Sequence, residues 1–285
     1  MRRGALSLIF LLAVLAGCAG SPQIDTRYSA LSQDSRVQYV ILHYTSSGFE
    51  RSLRNLATGG VSSHYLIDET PPTIYRLVDE DRRAWHAGES SWQGRTWLNA
   101  SSIGIELVNQ GYREENGQRH WQPWEPAQIE ALIPLLRDIL QRHGLGPERV
   151  IGHSDVAPQR KVDPGPLFPW RQLAEAGVAI WPDEAQAAEV QAQLAGRTPS
   201  LGWFQQALAE VGYAVPDDGL WSRATRNVLA AFQMRFRPAD HRGLPDIETA
   251  ALLAALAPEA RAALDAPLQI WLAEPISEQT LMVEP

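Results

Sequence analysis

Residues 151–166 read IGHSDVAPQRKVDPGP and place three chemically active side chains, His153, Lys161 and Asp163, among three prolines. Proline interrupts helix and sheet alike, so we expect a loop on the surface of a more regular structure. Imidazole and carboxylate groups are both good zinc ligands, and a catalytic zinc site normally has three protein ligands and one open position. The loop offers two of these ligands, so the third should come from elsewhere in the chain.

Size and composition predict a globular protein with two domains. The chain has 285 residues, of which 45% are apolar and 20% are charged, an ordinary balance for a folded protein. The formal net charge is -8 and no basic stripe is present, which argues against nucleic acid as the main partner. The ten tryptophans suit sugar and peptide ligands as well as cores.

The first 18 residues have the pattern of a secretory signal peptide. Two arginines are followed by an apolar run too short to span a membrane comfortably, and small residues precede Cys18. Leu15-Ala-Gly-Cys18 resembles the bacterial lipoprotein signal, which implies that Cys18 becomes the first mature residue and carries an acyl anchor. The alanine after it favours the outer membrane, with the protein facing the periplasm. The alternative is an ordinary signal peptide with an incidental cysteine.

Residues 36–176 are predicted to form an α/β domain after a tether over residues 19–35. Its pattern favours a mixed central β-sheet flanked by helices, because strands and helices alternate but a hairpin is included. The predicted strands are residues 37–44, 63–68, 73–78, 103–108 and 150–151, and the predicted helices are residues 49–57, 126–143 and 169–176.

A second, smaller domain is predicted over residues 199–258. Residues 177–198 are rich in Ala, Gln, Glu and Gly and are predicted to be a linker, with a partly helical linker as the alternative. Three apolar-patterned stretches then predict a small C-terminal three-helix domain, at residues 201–212, 224–236 and 247–256. No role is assigned to the tail, residues 259–285.

Two residues of the predicted sheet could belong to the zinc site, His43 as the third ligand and Glu106 as a base near the metal. His43 lies near the carboxyl end of the first strand, where α/β sheets usually place their ligands; a lone strand histidine is more often a hydrogen-bonded core residue. Glu106 points to the face opposite Ile103 and Ile105. A carboxylate in an apolar strand is costly to bury unless it is paired or functional. Glu106 is therefore either the partner of an arginine or a general base near a metal.

Four further residues have open alternatives. Lys161 is either a solvated loop charge or a group that stabilises the oxyanion of a tetrahedral intermediate. His64, Trp85 and His86 are candidates to line a substrate cleft, in a structural or substrate-contact role. The sequence contains no HExxH, GxSxG or Gly-rich phosphate loop, which excludes the activities those motifs signal.

Together these stretches resemble the type-2 amidase family of zinc-dependent N-acetylmuramoyl-L-alanine amidases, which is related to phage T7 lysozyme and the peptidoglycan recognition proteins. Six motifs over roughly residues 35–175 carry the resemblance: Leu42-His-Tyr-Thr45, Ser62-Ser-His-Tyr-Leu-Ile-Asp68, Ala84-Trp-His-Ala-Gly88, Ser102-Ile-Gly-Ile-Glu-Leu-Val-Asn109, Gly152-His-Ser-Asp155 and Lys161-Val-Asp-Pro-Gly-Pro166. The C-terminal helices resemble a peptidoglycan-binding module. The lipoprotein signal and this module together match the organisation of the family's lipid-anchored outer-membrane members.

The resemblance implies a specific chemistry. It assigns His43, His153 and Asp163 as zinc ligands, Glu106 as the catalytic glutamate and Lys161 as the residue that stabilises the transition state. It implies hydrolysis of the amide bond between N-acetylmuramic or anhydro-muramic acid and L-alanine, in peptidoglycan or muropeptides. The alternative is a lipoprotein that recognises or anchors peptidoglycan without cutting it, although such recognition proteins commonly lack a metal ligand.

Overall fold

The computed structural model describes residues 23–265. The predicted signal peptide, Cys18 and the tail beyond residue 265 lie outside these described residues. The described chain consists of a short segment, residues 23–34, and one compact unit that begins at Ser35. No helix between residues 23 and 265 has the length and apolar character needed to cross a membrane.

A mixed sheet forms the centre of the first half of the compact unit. The strands of residues 23–265 are, in chain order, β1 (Tyr39–Tyr44), β2 (Tyr65–Ile67), β3 (Ile74–Arg76), β4 (Ser91–Trp92), β5 (Arg95–Thr96), β6 (Ser102–Leu107), β7 (Tyr112–Glu115), β8 (Gln118–Trp121) and β9 (Val150–Gly152). The central sheet has the order β3-β2-β6-β1-β9, and within it β3 alone runs antiparallel to its neighbour. The predicted mixed sheet and its β2–β3 hairpin are confirmed.

The helices lie around this sheet and beyond it. In chain order they are α1 (Phe49–Thr58), α2 (Pro126–His143), α3 (His153–Val156), α4 (Trp170–Glu175), α5 (Glu184–Leu194), α6 (Leu201–Val211), α7 (Arg223–Phe236), α8 (Ile247–Leu256) and α9 (Pro258–Asp265). The bounds predicted for α2 are confirmed. Pro126 suits the first turn, where an N–H has no helical partner, and Gly144 adopts the left-handed φ of 65° that ends the helix.

The two faces of the sheet pack against different parts of the chain. Val40 and Leu42 share a buried cluster with apolar side chains of α2 such as Leu136, and each fully buried side chain of this kind contributes about 1.5–3 kcal/mol. Tyr39 and Ile41 point the other way and belong to the buried cluster that contains the C-terminal helices. Since His43 continues this alternation, it lies on the face that the C-terminal helices cover in part.

The C-terminal part is larger than the predicted three-helix domain. Helices α6, α7 and α8 match the three predicted helices, but α5 and α9 join them, so five helices lie between residues 184 and 265. Helix α5 lies inside the range predicted as a linker. It buries Ala187, Val190 and Leu194 in the same core as the other helices. The spacing i, i+3, i+7 gives α5 one apolar face, which the surrounding Ala and Gln residues conceal in the sequence.

A buried ion pair joins the C-terminal helices to the sheet. Arg235 of α7 donates a 2.8 Å hydrogen bond to Asp155 of α3 and a 3.0 Å bond to the Val150 carbonyl. The Tyr213 hydroxyl donates to the other Asp155 oxygen at 2.6 Å. The Arg235 guanidinium also lies 4.3 Å from the centre of the Trp170 ring. Residues 35–265 therefore pack as one body, and the predicted domain boundaries at residues 176 and 199 remain a prediction.

Candidate active site

The parallel pairing of β1 and β6 places His43 and Glu106 side by side. The two residues are direct partners in the strand register, so their side chains leave the same face of the sheet. Both lie near the carboxyl ends of their strands, the edge at which parallel sheets usually bind ligands. The sheet thus brings together two of the residues singled out in the sequence.

The stretch 151–166 supplies the other half of the site. It contains the end of β9 and the single turn α3, and the Ser154 N–H donates to the Asp163 carbonyl at 2.8 Å. This bond folds the loop back so that Asp163 meets His153. The predicted loop is confirmed for residues 157–166, but the two candidate ligands are not at the surface, since His153 is only 3% exposed and Asp163 6%. The C-terminal helices and the segment around Ala87 cover the loop.

The geometry of three side chains fits a metal ion. His43 Nδ1 lies 2.8 Å from His153 Nδ1 and 3.2 Å from Asp163 Oδ2, and His153 Nδ1 lies 2.9 Å from Asp163 Oδ2. Three ligands of a tetrahedral zinc ion at 2.0–2.1 Å would be about 3.3 Å apart. Among residues 23–265 this is the one group of His, Cys, Asp and Glu side chains close enough to share an ion. Two nitrogens and one oxygen are also donors that zinc accepts.

The surroundings keep these groups in the protonation states that bind metals. Burial and the neighbouring His153 lower the pKa of His43, Asp163 raises it, and the net pKa is about 4. Burial raises the pKa of Asp163, but the two histidines outweigh it and hold that pKa far below its usual range. At neutral pH His43 is therefore neutral and Asp163 ionised, as metal coordination requires.

Glu106 is not half of a salt bridge, which leaves it a candidate for the base. It has no ion pair with any residue in the range 23–265, and its Oε2 is buried without a hydrogen-bond partner there. Burial raises the pKa of Glu106 to about 8, the charge of Asp163 raises it as well, and Lys161 lowers it. The arginine partner considered for Glu106 in the sequence is therefore absent from the described chain.

Lys161 contributes a positive charge that acts on Glu106 and His43. Its backbone N–H donates to the Ala157 carbonyl at 3.0 Å, which fixes the chain at the end of the α3 loop. The charge of Lys161 lowers the pKa of both Glu106 and His43. Its side chain is half-buried and makes no ion pair with residues 23–265. The ammonium group can therefore interact with a substrate.

The three candidate cleft residues have different positions. His64 is 0% exposed, and its Nδ1 accepts a 3.0 Å hydrogen bond from the Gly104 N–H, which fits the structural role left open for it. His86 is also buried, with Nδ1 3.0 Å from His43 Nε2. Trp85 is 54% exposed and has the Arg83 guanidinium 4.2 Å from its ring centre. Of the three, Trp85 alone is open to a ligand.

Sequence reasoning missed the residues that form hydrogen bonds with the imidazole of His153, a candidate metal ligand, and with the His86–Ala87 segment beside it. The Ala87 carbonyl lies 3.2 Å from His153 Nε2, and Asn99 accepts hydrogen bonds from the backbone N–H groups of His86 and Ala87. Ser102 contacts the far nitrogen of His86. A backbone carbonyl gives no signal in a sequence, but an Asn and a Ser beside a buried strand are polar residues that need partners.

Comparison with known proteins identifies two regions of the chain. The family model described as N-acetylmuramoyl-L-alanine amidase matches residues 33–166, which contain all five of the proposed metal-binding and catalytic residues. A model of a peptidoglycan binding domain matches residues 197–253, within helices α6 to α8.

Full-length relatives share both regions. The chain is 45% identical over 267 residues to N-acetylmuramoyl-L-alanine amidase AmiD of Escherichia coli K12, an alignment that covers 87% of this chain and 95% of AmiD. A structure of E. coli AmiD with anhydro-N-acetylmuramic acid-L-Ala-D-γ-Glu-L-Lys matches with a TM-score of 0.78, over 84% of this chain and 95% of that one. Pseudomonas aeruginosa AmpDh3 with anhydromuramic pentapeptide matches with a TM-score of 0.77 at 38% identity, over 84% of this chain and 98% of that one. The chain therefore belongs to the N-acetylmuramoyl-L-alanine amidase family.

Proposed function

We propose that this chain uses zinc to hydrolyse the amide bond between N-acetylmuramic or anhydro-muramic acid and L-alanine in peptidoglycan or muropeptides. The observation that carries the proposal is the triangle of His43 Nδ1, His153 Nδ1 and Asp163 Oδ2, with edges of 2.8–3.2 Å. Its dimensions suit one small cation, and Glu106 lies beside it in the sheet. The amidases AmiD and AmpDh3 support the choice of substrate, because their structures hold anhydro-muramyl peptides.

The metal-binding residues and the base have separate tasks. His43, His153 and Asp163 would hold the zinc ion, which would supply Lewis acidity and make the attacking water more acidic. Glu106 in its ionised form accepts a proton from that water, since its unpaired Oε2 and raised pKa make it a better base than an exposed carboxylate. The carbon–nitrogen bond then breaks, the hydroxyl remains on the lactyl carbonyl carbon, and Glu106 returns the proton to the alanine nitrogen.

Lys161 balances the negative charge of the reaction. The carbonyl oxygen becomes an oxyanion when water adds, and a positive group fixed beside it lowers the barrier. Lys161 follows the α3 loop, and its charge lowers the pKa of both Glu106 and His43, which supports this role. Trp85, exposed beside the His86 segment, is our candidate for a substrate contact.

The alternative is a protein that binds peptidoglycan without cutting it. The match of residues 197–253 to a peptidoglycan binding domain fits either function. A pure binding protein, however, gives no reason for three converging metal ligands or for a buried carboxylate without a partner. Cleavage therefore accounts for more of the structure.

Product analysis tests the function. Zinc-loaded protein is incubated with anhydro-muropeptides and, separately, with purified cell-wall sacculi, and the products are identified by mass spectrometry. We expect stem peptides that begin with L-alanine, with one water gained for each bond cut. Chelation of the metal should stop their release and added zinc should restore it. Wall material that stays bound and uncut would favour the binding protein, and products cut at another bond would contradict the proposal.

Cell location is a further part of the proposal. We infer that Cys18 is lipidated and holds the protein at the outer membrane, facing the periplasm, because Leu15-Ala-Gly-Cys18 resembles a lipoprotein signal. Cys18→Ala should move the protein from the membrane fraction to the soluble periplasmic fraction. An unchanged membrane fraction in that variant would show that Cys18 is not the anchor.

A further inference from the structure

Both metal-binding imidazoles turn the same nitrogen towards the ion site. His43 and His153 each contribute Nδ1 to the triangle with Asp163. A neutral imidazole that binds a metal through Nδ1 carries its proton on Nε2. Each ring therefore needs a hydrogen-bond acceptor on its outer side, and both rings are buried too deeply for water to supply it.

Two consecutive residues provide these acceptors. His43 Nε2 lies 3.0 Å from His86 Nδ1, and His153 Nε2 lies 3.2 Å from the Ala87 carbonyl oxygen. The Ala87 carbonyl also accepts from the Arg160 guanidinium, which holds it from the other side. A single dipeptide, His86–Ala87, thus contacts both histidines of the site although it is remote from them in sequence.

The hydrogen bonds that lead from Leu98 through Ser102 and His86 to His43 form a series. The group at the Leu98 end determines which atom donates and which accepts in each of them. The Leu98 carbonyl can only accept, so the Ser102 hydroxyl donates to it at 2.7 Å. Ser102 Oγ is then the acceptor for His86 Nε2, 3.2 Å away. His86 therefore carries its proton on Nε2, which leaves Nδ1 free to accept from His43. This series of hydrogen bonds through Leu98, Ser102 and His86 makes Nδ1 of His43 the nitrogen that faces the metal.

The rest of the fold holds the dipeptide rigidly in place. Asn99 Oδ1 accepts from the backbone N–H of His86 at 3.1 Å and from that of Ala87 at 2.7 Å. Gly104 makes room for the ring, because a Cβ at this position would lie 2.4 Å from His86 Cγ. This close approach explains a glycine in the middle of strand β6, where it otherwise weakens a strand.

We propose that His86–Ala87, held by Asn99 and directed by Ser102, is a positioning element that fixes the orientation and tautomer of both metal-binding histidines and thereby sets the affinity of the site for zinc. The inference rests on the proposed metal site but not on the bond that is cut. Groups that hold metal-binding histidines in this way typically change metal affinity or activity 10–100-fold when they are removed.

Zinc affinity in the absence of substrate tests the proposal. Ser102→Ala removes one hydroxyl that touches neither metal-binding histidine, so this variant should fold. We expect its dissociation constant for zinc, measured by competition with a chelator, to rise about 10-fold or more. Ser63→Ala is the matched control, because Ser63 is equally buried but its hydroxyl has no hydrogen-bond partner among residues 23–265. Equal zinc affinity in the two variants overturns the proposal.

A second measurement reads the tautomers directly. Nitrogen-15 NMR of the histidine rings in the zinc-loaded protein should show the proton of His43, His86 and His153 on Nε2 in each case. His86→Gln should recover part of the affinity that His86→Phe loses, because the amide oxygen can still accept from His43. A proton on Nδ1 of His86, or equal affinity in these two variants, contradicts the proposal. Failure of the wild-type protein to bind zinc would instead remove the proposed function itself.

Discussion

At the scale of single residues, Glu106 shows how the sheet surrounds a candidate base. Its neighbour in the strand register is His43, a candidate metal ligand, and its buried Oε2 lacks a partner in the described part of the chain. Burial and the charge of Asp163 raise its pKa to about 8. When it is ionised, the carboxylate is therefore a stronger base than an exposed one.

Removal of the Glu106 charge tests its role. We expect Glu106→Gln to lower kcat by about 10²–10⁴-fold, because the amide keeps the shape of the side chain but cannot accept a proton. Bound zinc, measured by atomic absorption, should stay at the wild-type level. Glu115→Gln changes an exposed carboxylate of β7 and serves as the matched control. A Glu106→Gln variant with the kcat of the control would exclude Glu106 as the base.

Lys161 is the only lysine of the sequence, and the other 24 of the 25 basic residues are arginines. An ammonium group is a compact point charge, whereas a guanidinium is a planar fork. We expect Lys161→Ala to lower kcat about 10²–10³-fold, as for the loss of one oxyanion donor. Lys161→Arg should recover only part of it. Full activity of the arginine variant would show that charge alone suffices, and full activity of the alanine variant would exclude the assigned role.

The residues that converge on the candidate site could be singled out because each lies in a short motif of recognisable composition. His64 could not be distinguished from them, since a buried structural histidine and a cleft histidine look alike in sequence. Its hydrogen bond from Gly104 depends on strand pairing. The roles of Ala87 and Asn99 depend likewise on contacts between residues far apart in the chain.

At the scale of elements, Glu80 ties the loop after β3 to the end of α2. Its carboxylate accepts hydrogen bonds from Tyr65 at 2.6 Å, from His143 at 2.8 Å and from Arg142. Burial raises the pKa of Glu80, but these three partners outweigh it and lower the pKa to about 2. The ionised form is therefore stabilised in the folded protein, and the last turn of the helix is fixed to the sheet.

The stabilisation of the fold by the Glu80 carboxylate should be lost as the pH falls. The pKa of Glu80 falls below its ordinary value of 4.5 on folding, so its stabilisation is present above that pH and is lost as the pH falls through about 2. We expect Glu80→Gln to lower Tm by roughly 3–10 °C at pH 7. The difference from wild type should shrink between pH 4.5 and pH 2.

The matched control is Asp138→Asn, which removes an exposed carboxylate that also pairs with Arg142, at 2.9 Å. Its effect should be small, because exposed ion pairs contribute little. Thermal unfolding followed by circular dichroism measures both variants. A Tm difference for Glu80→Gln that is independent of pH would show that the Glu80 charge does not stabilise the fold.

Helices whose apolar residues recur clearly at helical spacing could be predicted. Helices whose apolar and polar faces differ little in composition could not. Helix α2 has apolar residues at helical spacing and clear end signals, so its bounds were correct. Helix α5 relies on Ala187, Val190 and Leu194 among Ala, Gln and Glu residues, which suit an exposed helix equally well. Packing against α8 decides its position, and that contact is not visible in α5 alone.

At the scale of the whole molecule, the Asp155–Arg235 pair links the C-terminal helices to the stretch of residues 151–166. Asp155 lies two residues after His153, and its Oδ2 also accepts from the Gly152 N–H at 2.8 Å. Both members of the pair are buried. Removing one partner of a buried pair leaves an uncompensated charge, so the loop depends on α7 for its stability.

Arg235→Met tests this dependence. We expect the free energy of unfolding to fall by about 3–5 kcal/mol, because Asp155 is left buried without its counter-charge. Urea unfolding should show a single transition in the wild type, reported equally by the sheet and the C-terminal helices. Arg242→Met, which removes an exposed pair with Asp240, should change little. Two separate transitions in the wild type, or equal effects of the two variants, would contradict the coupling.

The presence of two functional regions could be predicted from the sequence, but their union could not. Arg235 shows why. Its side chain turns towards Asp155 and Trp170 and away from solvent. Both partners lie far from Arg235 in the chain, so the residues around it do not indicate the contact.

The Asp155–Arg235 contact has a consequence for a protein that acts on a polymer. If the C-terminal helices bind a peptidoglycan strand, their packing against the sheet keeps that strand at a constant distance from the candidate metal site. Cleavage is then expected at bonds near that distance, whereas two regions joined by a flexible linker could reach many more bonds.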